Sequence, residues 1–173
     1  MKKAILVAAA FLTIGLFANK ASAQTATGNA LDSLTASGNY TAFSLMVRVA
    51  NLNSTLEGTG PYTIFAPTSY AIAKVPSGKL DSLMKNPSAL AAVVKYHIVS
   101  GKYTKADIIK ALVASKDRKV ELKTLDGQNL TLTVVGGKLQ LADDHGNTAE
   151  VTAFDLPASN GVIHGLDGVL DIK

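Results

Sequence analysis

Apolar residues recur at three- and four-residue spacings through the first two thirds of the chain and alternate with polar ones through the last third. The first pattern predicts helices over 30–37 and 41–50, where Phe43, Met46, Val47 and Ala50 share a face. Residues 51–61, NLNSTLEGTGP, read as a loop from their Asn, Gly and Pro content. The following YTIFA run is a short strand closed by Pro67, which has no N–H for a ladder. Short helices are expected over 69–74 and 79–84. A better marked helix opens with Asn86 as N-cap and Pro87 in the first turn, and its apolar face runs Leu90, Val93, Val94, His97. Thr104 and Asp107 stand at capping-box spacing, and the helix they open is predicted to bury Ile108, Ile109, Leu112 and Val113.

From Arg118 the period falls to two. Val120 and Leu122, then Leu130, Leu132 and Val134, alternate with polar residues, with Asp126-Gly127 and Gly136-Gly137 as hairpin signals between runs. Leu139 and Leu141, Val151 and Ala153, and the stretch from Val162 to Leu170 predict three more strands. Helices first and a strand meander second imply an α+β domain with an antiparallel sheet. No internal repeat or second domain is evident.

The N-terminus changes the charge picture. Met1-Lys2-Lys3 precedes an apolar run over 4–18, and Ala21-Ser22-Ala23 follows, the pattern of a signal peptide cleaved after Ala23. Residues 24–29 are then expected to be flexible and 30–173 to form the domain. The apolar run is too short for a good membrane anchor, and no cysteine is present to carry a lipid. Of 17 basic residues, Lys2, Lys3 and Lys20 leave with the leader, so 14 remain against 13 acidic ones. A nearly neutral chain is not a nucleic-acid binder by composition, and the basic SKDRK cluster at 115–119 reads as a solvated loop. The absence of cysteine also removes disulfides, thiolate zinc sites and iron–sulfur clusters.

Candidate chemistry rests on His97, His145 and His164. No two have the spacing that places paired ligands on one helical turn. In a strand, His164 shares its face with Val162 and Leu166, which predicts a buried imidazole whose two nitrogens need partners. Asp143, Asp144, His145 and Asn147 could ligate a hard cation, but a hairpin turn requires the same residue types. No G-x-S-x-G or dinucleotide loop occurs. No catalytic residue, metal site or cofactor is therefore assigned.

Three segments, YTIFAPTSYAI at 62–72, VVKYHIVSGKYTKADI at 93–108 and SNGVIHGLDGVL at 159–170, resemble in order and spacing the markers of the fasciclin domain family. The resemblance implies a wedge-like α+β fold, with an antiparallel β-sandwich core and N-terminal helices packed on it. It also implies a secreted or cell-surface adhesion module without catalysis, whose partner is an extracellular protein or glycan, and which reaches the cell surface without a transmembrane anchor. A monomer is expected. Thr63, Phe65, Ala66, Pro67, Thr68, Tyr96, His97, Asn160, Gly161, His164 and Asp167 fall on motif positions and take structural roles by this resemblance. Some members bind integrins through an Asp-Ile pair. The pair Asp107-Ile108, with Tyr103 nearby, is the matching candidate binding segment, although Asp107 also suits a helix cap and Ile108 a core position. Ile72 replaces a usual phenylalanine and Gly165 a usual bulky residue, which predicts a more open space beside His164. A rival reading makes His97 and His164 the centre of a secreted small-molecule or metal-binding protein, or of a hydrolase, with both rings in one cavity.

Overall fold

The computed structural model describes residues 28–171; the expected signal peptide and residues 24–27 lie outside them. Helix α1 (Ala30–Ala36) opens on a capping box, in which the Asn29 side chain accepts from Asp32 N–H and Asp32 accepts from Asn29 N–H. Gly28 and Asn29, expected to be flexible, thus belong to the fold, and Gly28 O also accepts from Ser159 N–H. Helix α2 (Thr41–Val49) buries Phe43, Met46 and Val47 as its periodicity requires. The expected loop 51–61 contains a helix, α3 (Asn53–Glu57). Its one buried residue, Leu56, docks into the core, and tertiary packing outweighs the loop-like composition.

Strand β1 (Tyr62–Pro67) is followed by α4 (Ser69–Ala73), α5 (Ser77–Lys85) and α6 (Pro87–Tyr96). Asn86 caps α6 by accepting from Ala89 N–H at 3.2 Å. Strand β2 (Ile98–Ser100) and helix α7 (Lys105–Ala114) come next, and the capping box between Thr104 and Asp107 is present. Helix α7 buries Ile108 and Leu112 alone; Ile109 and Val113 face solvent, contrary to the four-residue apolar face expected. The helix rests on the strand that follows it, Lys119–Lys123, which meets one stripe of its surface.

Strands β3 (Lys119–Lys123), β4 (Asn129–Val135), β5 (Lys138–Ala142), β6 (Thr148–Ala158) and β7 (Gly161–Leu166) form the meander. All seven strands lie in one sheet, ordered β2-β1-β7-β6-β5-β4-β3. Register shifts along β6 bend it, so the first part of that strand pairs with β5 and the last part with β7. The two outer strands approach each other through a Val99–Thr124 bridge, reinforced by Leu125 N–H donating to Ile98 O at 2.8 Å. The sheet therefore nearly closes into a barrel.

One pairing departs from the antiparallel expectation: β1 and β7 run parallel, with Phe65 opposite His164. Alternation of polar and apolar residues carries no strand direction, but full burial of β7 is the mark of a central strand covered on both sides. Two apolar clusters flank this pair. Ile64, Ala66 and Ile163 join helices α1, α2 and α6 in one, while Phe65 and Leu166 join α7 and the meander in the other.

Candidate functional site

Position 164 is central in β7, so its ring lands in the second cluster, stacked on Phe65 with centroids 5.4 Å apart and edge-on to Phe154 at 5.7 Å. Both ring nitrogens are engaged. Nε2 lies 2.8 Å from Tyr103 O, and Nδ1 accepts from Asp155 N–H at 3.3 Å. This pattern fixes the tautomer with the proton on Nε2. Burial pushes the pKa of His164 down despite the Tyr103 carbonyl. Asp155 adopts φ 57°, a conformation that aspartate tolerates better than most residues, and its carboxylate accepts from Lys105 N–H at 2.9 Å. The ring thereby joins β7, the bulged part of β6 and the start of α7. Sequence reasoning did not single out Asp155 or Phe154; an aspartate within a strand, where it is depleted, is the only local signal.

His97 terminates α6 and is wholly enclosed. Its Nδ1 lies 2.7 Å from Val93 O, one turn back, and its Nε2 accepts from Leu170 N–H at 3.2 Å. Phe43 and Tyr96 surround the ring. Burial lowers its pKa from 6.5 to about 4. The two imidazoles share no ring partner and no hydrogen-bond partner. Each is closed by main-chain groups, so neither offers a nitrogen to a ligand or a substrate proton. Among the described residues no group of three His, Cys, Asp or Glu side chains is arranged to hold a metal.

The remaining motif residues act as fasteners. Thr63 donates to Gly101 O at 2.7 Å and accepts from Tyr103 N–H at 2.8 Å. Asn160 accepts from Ala30 N–H and donates to Leu56 O and Gly58 O, tying α1 and α3 to the start of β7. Gly161 must lack a side chain, because a Cβ there would overlap the Tyr62 carbonyl. Thr68 caps α4, Tyr96 donates to Asn129 O, and Asp167 accepts from Glu150 N–H. Ala66 and Pro67 pair with Gly165 and Leu166.

The candidate binding segment divides. The Asp107 carboxylate is exposed, and hydrogen bonds from the Thr104 hydroxyl and N–H hold its pKa below the ordinary value. Ile108 is buried in the core, and Tyr103 is half-buried. The Asp143–Asn147 segment is a turn: Asp143 accepts from His145 N–H, from Asn147 N–H and side chain, and from Asp171 N–H. Burial would raise the Asp143 pKa, yet these bonds together bring it below its usual value. The space predicted beside Gly165 is filled, since the Tyr40 hydroxyl occupies the place of a side chain there. Larger grooves lie elsewhere. One of about 430 Å³ separates α5 and α6, lined by Leu83, Ala89 and Val93 among others. A second, of about 490 Å³, runs along α2 past Leu45 and Arg48.

The Fasciclin domain family model matches residues 38–172. The chain belongs to the fasciclin domain family. Its fasciclin relatives include protein sll1483 of Synechocystis, 39% identical over 139 residues that span 78% of this chain and 69% of that protein. Immunogenic protein MPT70 of Mycobacterium tuberculosis is 32% identical over 120 residues, 69% of this chain and 54% of its own length. In three dimensions the chain is similar to the FAS1 domain pair of the insect cell adhesion molecule Fasciclin I, with TM-score 0.67 at 20% identity. That match covers 84% of this chain and 51% of the insect one, a likeness of fold. The fasciclin fold expected from three short motifs is thus the fold observed.

Proposed function

We propose that this fasciclin domain acts outside the cytoplasm, secreted or held at the cell envelope after loss of residues 1–23, as an interaction module without catalysis. Its partner is an extracellular protein or glycan, and it works as a monomer. The observation that carries this reading is the closure of both family histidines on main-chain partners, His97 by Val93 and Leu170 and His164 by Tyr103 and Asp155. A side chain whose nitrogens are all engaged and enclosed serves the scaffold, which leaves recognition to the exposed surface. The fold it shares with an insect cell adhesion molecule supports the same reading. No helix of the described residues is long and apolar enough to cross a membrane. Within the candidate adhesive segment, Asp107 and the edge of Tyr103 are open to a partner, while Ile108 serves the core.

Binding of the protein to immobilised extracellular-matrix proteins and envelope glycans tests the proposal, alongside thermal unfolding with and without zinc. The expected result is saturable binding, weakened by Asp107→Ala, with an unfolding temperature indifferent to zinc. A zinc-dependent rise that disappears in His164→Ala would instead establish a histidine site and overturn the reading.

A further inference from the structure

We propose that the outer face of α7 and the turn that follows it form a surface that docks on anionic lipid. Two independent observations meet there. The first is charge. Setting aside Lys2, Lys3, Lys20 and Lys173, residues 28–171 carry 13 basic and 13 acidic side chains and are neutral as a whole. Residues 102–119 alone hold six basic side chains, Lys102, Lys105, Lys110, Lys116, Arg118 and Lys119, against Asp107 and Asp117. All six are exposed, and none is in an ion pair among the described residues. This stretch therefore has an excess of four positive charges, and the remainder of the domain an excess of four negative ones.

The second observation is apolar exposure. Of the six large hydrophobic side chains open to solvent among the described residues, Ile109 (47% exposed) and Val113 (75%) lie four residues apart on one stripe of α7. Val134 and Val135, two more, lie in β4 beside the turn between α7 and β3, and as consecutive strand residues they point to opposite faces, so at most one of them adjoins this stripe. A tight turn, with Arg118 N–H donating to Ser115 O, leads from α7 into β3, and the register that pairs Lys119 with Thr133 sets Val134 and Val135 just beyond it. Isolated surface aliphatics need no explanation, but Ile109 and Val113 exposed together on one stripe of a helix that carries Lys105 and Lys110 and leads into Lys116 and Arg118 do.

A soluble polyanion would be satisfied by the cations alone. Aliphatic side chains interleaved with lysines on the convex face of a helix match an interface where anionic headgroups overlie hydrocarbon. Neither of the two grooves described above includes any of these residues. This inference goes beyond the binding of a protein or glycan and does not depend on it.

Cosedimentation of the full chain with vesicles of phosphatidylglycerol and phosphatidylcholine, against phosphatidylcholine alone, tests it. The apolar run at 4–18 and Lys2, Lys3 and Lys20 are common to every variant, so the differences between variants exclude their contribution. Wild type is expected to prefer the anionic vesicles and to lose that preference as salt is added. Lys116→Gln with Arg118→Gln should weaken binding about fivefold for each charge removed. Ile109→Ser with Val113→Ser should weaken it further, with the unfolding temperature of both variants unchanged because all four side chains are exposed. Equal partition of wild type between the two vesicle types would overturn the proposal even if matrix or glycan binding persisted. Undiminished vesicle binding by the serine variant, with dextran sulfate competing fully, would overturn it in favour of a polyanionic polymer.

Discussion

His97 and His164 stand in two motifs of one family, yet the chain uses them in different ways. His97 closes the end of a helix over the first apolar cluster, and its second nitrogen reaches Leu170, 73 residues later. His164 sits where three elements meet near the surface, and it bonds the start of α7 and a bulge in β6 that bends on its own account. One ring ties the end of a helix to the segment around Leu170, whereas the other joins a strand, a bulged strand and the start of a helix. Burial alone does not distinguish them, since both are fully buried by residue. The elements that each ring bonds do.

The sharpest way to break this comparison is to remove each ring. His97→Ala opens a cavity and strands Val93 O and Leu170 N–H, for a loss on the order of 4 kcal/mol in urea unfolding. A loss no larger than that of a surface substitution would refute the closed-ring account.

Acid sharpens it next. The folded-state pKa of His97 is depressed, so folding excludes a proton that the unfolded chain accepts. Its contribution is complete above the ordinary value of 6.5 and is lost as pH falls from there toward about 4. Over that window the lost stability is on the order of 3 kcal/mol. His164 shifts in the same direction and adds to the fall. Measuring unfolding free energy against pH for wild type and His97→Gln checks this: the variant should show the shallower slope, and equal slopes would assign the effect elsewhere.

The smallest effect belongs to His164→Ala, at about 2 kcal/mol, because the β6 bulge can relax into part of the space. Its signature is local. Hydrogen exchange should accelerate at Tyr103 to Asp107 and around Asp155 more than in α6. Uniform acceleration across the domain would erase the distinction between the two histidines.

Features set by neighbours in sequence were legible in it. Asn86-Pro87 and the Thr104–Asp107 box each act within one helical turn, so residue type and spacing suffice. Helix α3 was hidden because its stability comes from docking Leu56 and not from its own composition. On α7, the 3.6-residue period permits an apolar face of four residues, but only the neighbouring strands decide that two of them are covered. Burial of His164 followed from its strand face. Its partners did not, because Tyr103 lies 61 residues away and Asp155 takes part through an unusual backbone angle. The filled space at Gly165 was equally out of reach: Tyr40, which fills it, comes from the opposite end of the chain.

The parallel pairing of β1 with β7 also sets a timetable for folding. Strand β1 is made early and its partner β7 after every other strand of the sheet, so the central ladder cannot close until Gly161–Leu166 has left the ribosome. Until then the long loop must be held together without the contacts that reward its closure. A chain interrupted before Gly161 keeps the β1–β2 pairing but leaves the other edge of β1 unpaired, a template for pairing with another chain. The fold locks only when the last of the three motifs, at 159–170, arrives.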